Sequence, residues 1–198
     1  LILERPKKQI NYQEVLRDVA KTMVSLKKPE RLINMITRFV DREMRLSHTS
    51  LVMLDENKNR FIFVDSKGSR RFPVGFVKFE WDHPLIAWFH RNRKKAGIKD
   101  DFLYRPILEK WCTNGRLKSS KISPEEIEKL KKAMDNFKAE LVIPGYHKGT
   151  LLGLFLLGKK MKSEAFTPPE ISFFQILAQD CSMAIKAAQY HQNLLERN

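Results

Sequence analysis

The side chains best suited to chemistry are few and scattered. Five histidines, His48, His83, His90, His147 and His191, stand at no metal-ligating spacing, and no His-Glu-x-x-His pattern occurs. The two cysteines, Cys112 and Cys181, lie far apart in the chain. That excludes a disulfide-rich scaffold and a multi-cysteine zinc or iron–sulfur site. There is no Gly-x-x-x-x-Gly-Lys-Ser/Thr loop and no Gly-x-Ser-x-Gly elbow. Gly145, Gly149, Gly153 and Gly158 therefore read as hairpin and close-packing glycines rather than as a phosphate cradle. These absences point away from an enzyme, and the sequence assigns no catalytic residue and no metal ligand.

Asp82, His83, Asp100 and Asp101 form one polar cluster. Paired carboxylates can do acid–base work or bind a metal. The simpler reading is favoured: Asp82 caps a helix, and Asp100-Asp101 sit in a turn. Around this cluster the aromatics Phe79, Trp81, Trp88, Phe102, Tyr104 and Trp111 gather, including all three tryptophans of the chain. Apolar walls with few polar groups are what a small-molecule pocket needs, and equally what an ordinary core needs. With Asp82, Leu85 and Cys112, these aromatics are the candidate pocket residues.

The elements that must position them are legible from spacing. Tyr12, Leu16, Val19, Met23 and Leu26 mark one amphipathic helix. Pro29 then suits the first position of a second helix, carried by Leu32, Ile33, Ile36, Val40 and Met44. Ser50–Leu54 and Arg60–Val64 read as strands of a hairpin around the turn residues Asp55–Asn59, with Phe76–Phe79 as a weaker third strand. Pro84–Arg91 reads as a short helix, Lys94–Lys99 as a short strand and Lys110–Lys121 as loop. Ser123-Pro124-Glu125-Glu126 opens a helix that continues through Ile127, Leu130, Met134 and Phe137. Leu141–Pro144 and Leu151–Leu157 form a second hairpin around Gly145 and Gly149. Thr167-Pro168-Pro169-Glu170 repeats the capping pattern and opens a final helix of about 45 Å, at 1.5 Å per residue. Phe174, Leu177, Cys181, Ala184, Ala188, His191 and Leu195 share one face of it; Ile171, Ala178 and Ile185 share another. One face suits the sheet, and the other, with its small residues, suits a second helix.

The chain has 198 residues, 42% of them apolar, and 37 Lys and Arg against 23 Asp and Glu give a net charge of +14. This length buries roughly 70% of the unfolded surface, so one domain can fold without disulfides or metal. The charge raises a nucleic-acid or membrane-surface partner. Yet the basic clusters, at Arg91, Arg93, Lys94 and Lys95, at Arg70-Arg71 and at Lys159-Lys160-Met161-Lys162, are dispersed and match no recognition motif. Nucleic acid is therefore disfavoured, and an anionic ligand or the cytoplasmic membrane face is the partner such clusters leave open. No uncharged apolar run approaches the roughly 18 residues of a membrane span, and no signal peptide is visible, so the expected compartment is the cytoplasm. A first residue of Leu1 rather than Met reads as a fragment of a longer chain.

The last third carries a resemblance. Glu140-Leu-Val-Ile-Pro144, the turn Gly145-Tyr-His-Lys-Gly149, Leu152-Gly-Leu-Phe-Leu-Leu-Gly158, Phe166-Thr-Pro-Pro-Glu170 and Ile176–Ile185 together resemble the C-terminal half of a GAF domain. His83-Pro84-Leu85-Ile86-Ala87-Trp88-Phe89 is similar to the pocket-side segment of GAF domains in bacterial signalling proteins, sensor histidine kinases above all. The resemblance spans roughly residues 12–195. It implies an α+β fold: a central antiparallel sheet of five or six strands flanked by helices, with the first and last helices packed together on one face. It also implies a non-catalytic, small-molecule-sensing domain, 1–198, with a core of about 12–185 and a helix over 168–197 leading to an output domain. Homodimerisation would run through the terminal helices, at Leu16, Val19, Met23, Leu177, Cys181, Ala184, Ala188, His191 and Leu195. A ligand-free dimerisation module on the same fold is the alternative. Neither the Cys-His pair of phytochromes at Cys112 nor the Asn-Lys-Phe-Asp-Glu signature of cyclic-nucleotide binders is present, so the ligand is left unknown.

Overall fold

The computed structural model describes residues 10–75, 77–92, 101–113 and 122–197. Its first helices are those the periodicity marks. Helix α1 spans Tyr12–Ser25, capped by the Asn11 side chain, which accepts from the Glu14 N–H at 3.2 Å. Helix α2 spans Pro29–Met44 with Pro29 in its first turn. Strands β1 (Thr49–Asp55) and β2 (Arg60–Lys67) form the first hairpin. Strand β3 is Lys78–Phe79 and α3 is Pro84–Ala87, which continues as a π-helical turn over Trp88–Asn92. Strand β4 (Leu103–Tyr104) leads into α4 (Arg105–Thr113), and α5 is Pro124–Asn136. Strands β5 (Leu141–His147) and β6 (Thr150–Leu157) form the second hairpin, followed by α6, Pro168–Glu196.

The six strands make one antiparallel sheet in the order β3-β2-β1-β6-β5-β4. Alternation along the strands sends side chains into two cores. Leu51, Met53, Leu141, Ile143, Phe155 and Leu157 face α1, α2 and α6. Val52, Phe61, Phe63, Val142, Leu154 and Leu156 face α3, α4 and α5. The fold is thus α+β with the first and last helices on the same face, as the resemblance implies.

Three local readings change. The cap of α3 is His83, whose ring accepts from the Leu85 N–H at 3.3 Å, while Asp82 is exposed. Pro84 occupies the first turn, so the residue before it takes the cap position. The stretch read as loop from Lys110 is helical as far as Thr113. Gly145 lies inside β5; the hairpin turn is Lys148-Gly149, both with positive φ. The strand read over Lys94–Lys99 falls outside the described residues.

Helix α6 sits on the sheet where Gly145 pairs across to Gly153. A Cβ on Gly145 would lie 2.9 Å from the Ala178 carbonyl and closer still to the Ser182 hydroxyl. The bare backbone of Gly145 is what lets the helix approach, while at Gly153 a Cβ would instead meet the Val52 carbonyl of β1 at 2.5 Å. Gln179 then closes the contact. Its side chain accepts from the Tyr146 N–H at 3.3 Å and donates to the Tyr146 carbonyl at 2.7 Å. The start of α6 is held by a complete capping box between Thr167 and Glu170, and Lys160 pairs with Glu170 at 2.5 Å.

Gly145→Ala should cost about 1–3 kcal/mol of stability through overpacking. Ser182→Gly in the same chain should recover only part of it, because the Ala178 carbonyl remains. Urea midpoints of the wild type and the two variants check this.

Candidate functional site

The second core is the aromatic one. Trp88 and Trp111 are 1% and 9% exposed, with ring centroids 5.9 Å apart. Phe79 and Leu85 are buried beside them. Trp81 sits edge-on to Phe61 at 4.9 Å and donates its indole N–H to the Asn59 side chain at 3.0 Å. Phe79 meets His83 at 4.5 Å, and Phe137 closes over both rings. Of the candidate pocket residues, Phe79, Trp81, Leu85, Trp88 and Trp111 therefore share one layer. Phe102 and Tyr104 do not: they pack against the opposite core, because Leu103 between them faces the aromatic side and a strand alternates. Tyr104 instead accepts from the Phe166 N–H at 3.2 Å, near the start of α6. The Cys112 side chain and Asp100 lie outside the described residues.

Two polar atoms on the helices of this face are buried without a hydrogen-bond partner: the Trp111 indole N–H on α4 and one carboxylate oxygen of Glu126 on α5. Such groups are uncommon and call for a partner. Around them the helices are tied together: Arg105 pairs with Asp135 at 2.9 Å and Glu109 at 2.6 Å, and Lys131 with Glu109 at 3.2 Å. The Arg105 guanidinium holds Asp135 and Glu109 below the usual carboxylate range. Burial pushes His83 down to about 4, which keeps its ring neutral and able to accept at the α3 cap.

Tyr146 connects this layer to the other. Its hydroxyl donates to the Phe89 carbonyl in the π turn at 3.1 Å, while its backbone is gripped by Gln179 of α6. Sequence reasoning missed this bridge. The residues are visible only as a tyrosine beside a turn glycine and a glutamine on a half-buried helix face.

Seven of the nine helix residues read as a dimer seam face inward. Val19, Met23, Leu177, Cys181 and Ala188 are buried in the core shared by α1, α6 and the sheet; Leu16 and Ala184 are half-buried; His191 and Leu195 are exposed. A different strip of α6 is open: Ile176, Met183, Tyr190 and Leu194 are 45–65% exposed, and Ala187 lies among them. Ile176, Met183 and Tyr190 recur at the heptad interval, as do Ala187 and Leu194. An apolar groove of about 340 Å³ runs alongside, lined by Met23, Val24, Leu26, Ala184, Ala187 and Ala188.

No thiol chemistry suits the buried cysteine. Cys181 is 1% exposed, and burial together with the Asp180 carboxylate pushes its thiol up, the reverse of a nucleophile. Among the described residues no three metal-ligating side chains come together, and no helix is long and apolar enough to cross a membrane.

No family model and no curated protein matches the chain. Solved structures do. A methyl-accepting chemotaxis protein fragment, residues 122 to 287, superposes with TM-score 0.62 at 12% identity, covering 87% of this chain and 97% of that one. The GAF domain of an Acinetobacter phosphoenolpyruvate-protein phosphotransferase gives 0.61 at 18% identity, over 92% and 97%. The fold is the GAF fold. Other matches are GAF domains too, including cyanobacterial phytochrome domains with phycoerythrobilin or phycocyanobilin bound. A free methionine-R-sulfoxide reductase from Neisseria meningitidis, in complex with its substrate, gives 0.59 at 10% identity, over 91% of each chain.

The neutral His83 binds fewer protons folded than unfolded between pH 6.5 and about 4. Its contribution to stability is present above pH 6.5 and is lost as pH falls towards 4. His48, also pushed down by burial, acts in the same direction. His83→Asn keeps a cap acceptor and removes the titration. The drop in denaturant midpoint between pH 7 and 4.5 should therefore be smaller in the variant; an identical drop in both proteins contradicts the assignment.

Proposed function

We propose that this chain is a non-catalytic regulatory domain that senses a small molecule and dimerises within a cytoplasmic signal-transduction protein, such as a sensor histidine kinase of a two-component system. Residues 1–198 form a single domain with a core of about 12–185, and α6 runs on to an output domain. The observation that carries the reading is the Tyr146 bridge: one residue bonds the π turn of the aromatic layer and the helix that leaves the domain. A ligand that repacks Trp88 and Trp111 displaces the Phe89 carbonyl, and Tyr146 carries the displacement to Gln179. The unpartnered Trp111 N–H and Glu126 oxygen give such a ligand one donor and one acceptor to engage. The ligand moves the equilibrium only by binding the two arrangements unequally. GAF domains from phosphotransfer and phytochrome proteins among the structural matches support a signalling role.

The exposed strip Ile176, Met183, Ala187, Tyr190 and Leu194 supplies the dimer contact, in place of the inward-facing residues. The second reading is a ligand-free dimerisation module, which the close burial of Trp88 favours.

A thermal-shift screen against nucleotides, second messengers, tetrapyrroles and common metabolites tests the first reading. A ligand at 100 times its dissociation constant stabilises the native state by about 2.7 kcal/mol, a rise of several degrees. The hit should weaken in Trp111→Phe, which keeps the apolar body and loses the N–H. Light scattering of Tyr190→Glu should show loss of a dimer while the thermal midpoint is retained. Silence across the panel with that dimer intact selects the second reading; a monomeric wild type contradicts both.

A further inference from the structure

One corner of the domain gathers basic side chains in a way neither the aromatic layer nor the α6 strip uses. The end of α2, the segment after β2 and the segment after β6 surround an open cleft of about 560 Å³. Arg45, Lys67 and Arg71 line it, with Leu46 and Met161 as its apolar wall and Asp41 as its carboxylate. Its frame is fixed by backbone bonds. Ser47 N–H donates to the Lys159 carbonyl at 2.8 Å, Met161 N–H to Arg45 at 3.1 Å and Arg70 N–H to Ser47 at 2.9 Å. Gly68, with φ +113°, lies so close that a Cβ would stand 2.6 Å from the Ser47 carbonyl. The turn bearing Lys67 and Arg71 is therefore held against the end of α2.

The cations differ in what satisfies them. Lys67 is neutralised by Asp65 at 2.7 Å. Arg45 and Arg71 have no carboxylate partner among the described residues, and the Arg71 guanidinium donates to the Gly68 carbonyl at 3.4 Å. Two guanidinium forks on a fixed frame suit a phosphoryl oxyanion, which they bind bidentately. A single phosphate leaves most of the volume empty, and the 61%-exposed Met161 offers apolar surface to whatever the phosphate is attached to.

We propose that this cleft binds the phosphate or pyrophosphate group of a phosphorylated small molecule, held by Arg45 and Arg71. The test is calorimetric titration of inorganic pyrophosphate at 50 and 300 mM salt, with amide chemical shifts mapped by NMR. Arg45 has φ 48°, a conformation glycine prefers, so Arg45→Gly removes the charge without harming the fold. The expected result is one site, shifts confined to residues 45–47, 67–71 and 159–161, and at least tenfold weaker binding in Arg45→Gly/Arg71→Gln at an unchanged thermal midpoint. Lys129→Gln/Lys132→Gln, exposed on α5, should bind as wild type. Equal loss in that control, shifts spread over the surface, or no binding at 50 mM salt overturns the proposal, since the +14 charge alone then accounts for any attraction. Association with anionic lipid vesicles but not with pyrophosphate overturns it as well.

Discussion

The close seat of α6 on β5 is the contact on which the remaining architecture depends. It requires bare backbone at Gly145, small groups at Ala178 and Ser182, and a glutamine amide to satisfy Tyr146. With the helix seated, Phe174, Leu177, Cys181 and Ile185 reach the core, and α1 and α2 find a surface to pack on. A bulkier side chain at the crossing would lift the helix and open all of these contacts together. Pro144 fits the same edge. Beyond Leu141 and Val142, β5 has no partner in β4, so a residue without an N–H is tolerated there.

The two faces of the sheet are built differently. One carries three helices of 14, 16 and 29 residues around a mixed core of aliphatic side chains and phenylalanines, among them Phe155, Phe173 and Phe174. The other carries the four-residue α3, a π turn, the nine-residue α4 and the 13-residue α5, with all three tryptophans packed in its layer. A π turn is a frequent mark of functional sites. Here it presents the Phe89 carbonyl to Tyr146, which gives the aromatic layer a polar connection to α6 besides apolar packing through the sheet.

Most of the frame is legible from sequence because its signals are local. Pro29, the Thr167–Glu170 capping box and the Asp55–Asn59 turn each fix an element boundary with a few residues. The middle is harder. Strand β4 has two residues, too few for a period, so nothing in the sequence separates the faces of Phe102 and Tyr104 from that of Leu103. Pro84 marks the first turn and therefore His83 as the cap, but aspartate is the commoner cap residue, so the two local signals at Asp82 and His83 compete. On α6 the periodicity identifies two apolar faces without saying which partner each meets. The richer face is spent on the protein's own core, and the open strip is marked by exposure, a tertiary property. The Tyr146–Gln179 pairing joins residues 33 apart in the chain and leaves no pattern in either segment.

The direct test of the connection between the aromatic layer and α6 is amide hydrogen exchange in wild type and Tyr146→Phe. That variant deletes one hydroxyl and leaves the Gln179 pairing with the backbone possible. The account predicts faster exchange in the π turn together with α6 around Gln179–Ser182, while β1 and β2 keep their protection. Faster exchange confined to the π turn, with α6 unchanged, would contradict it.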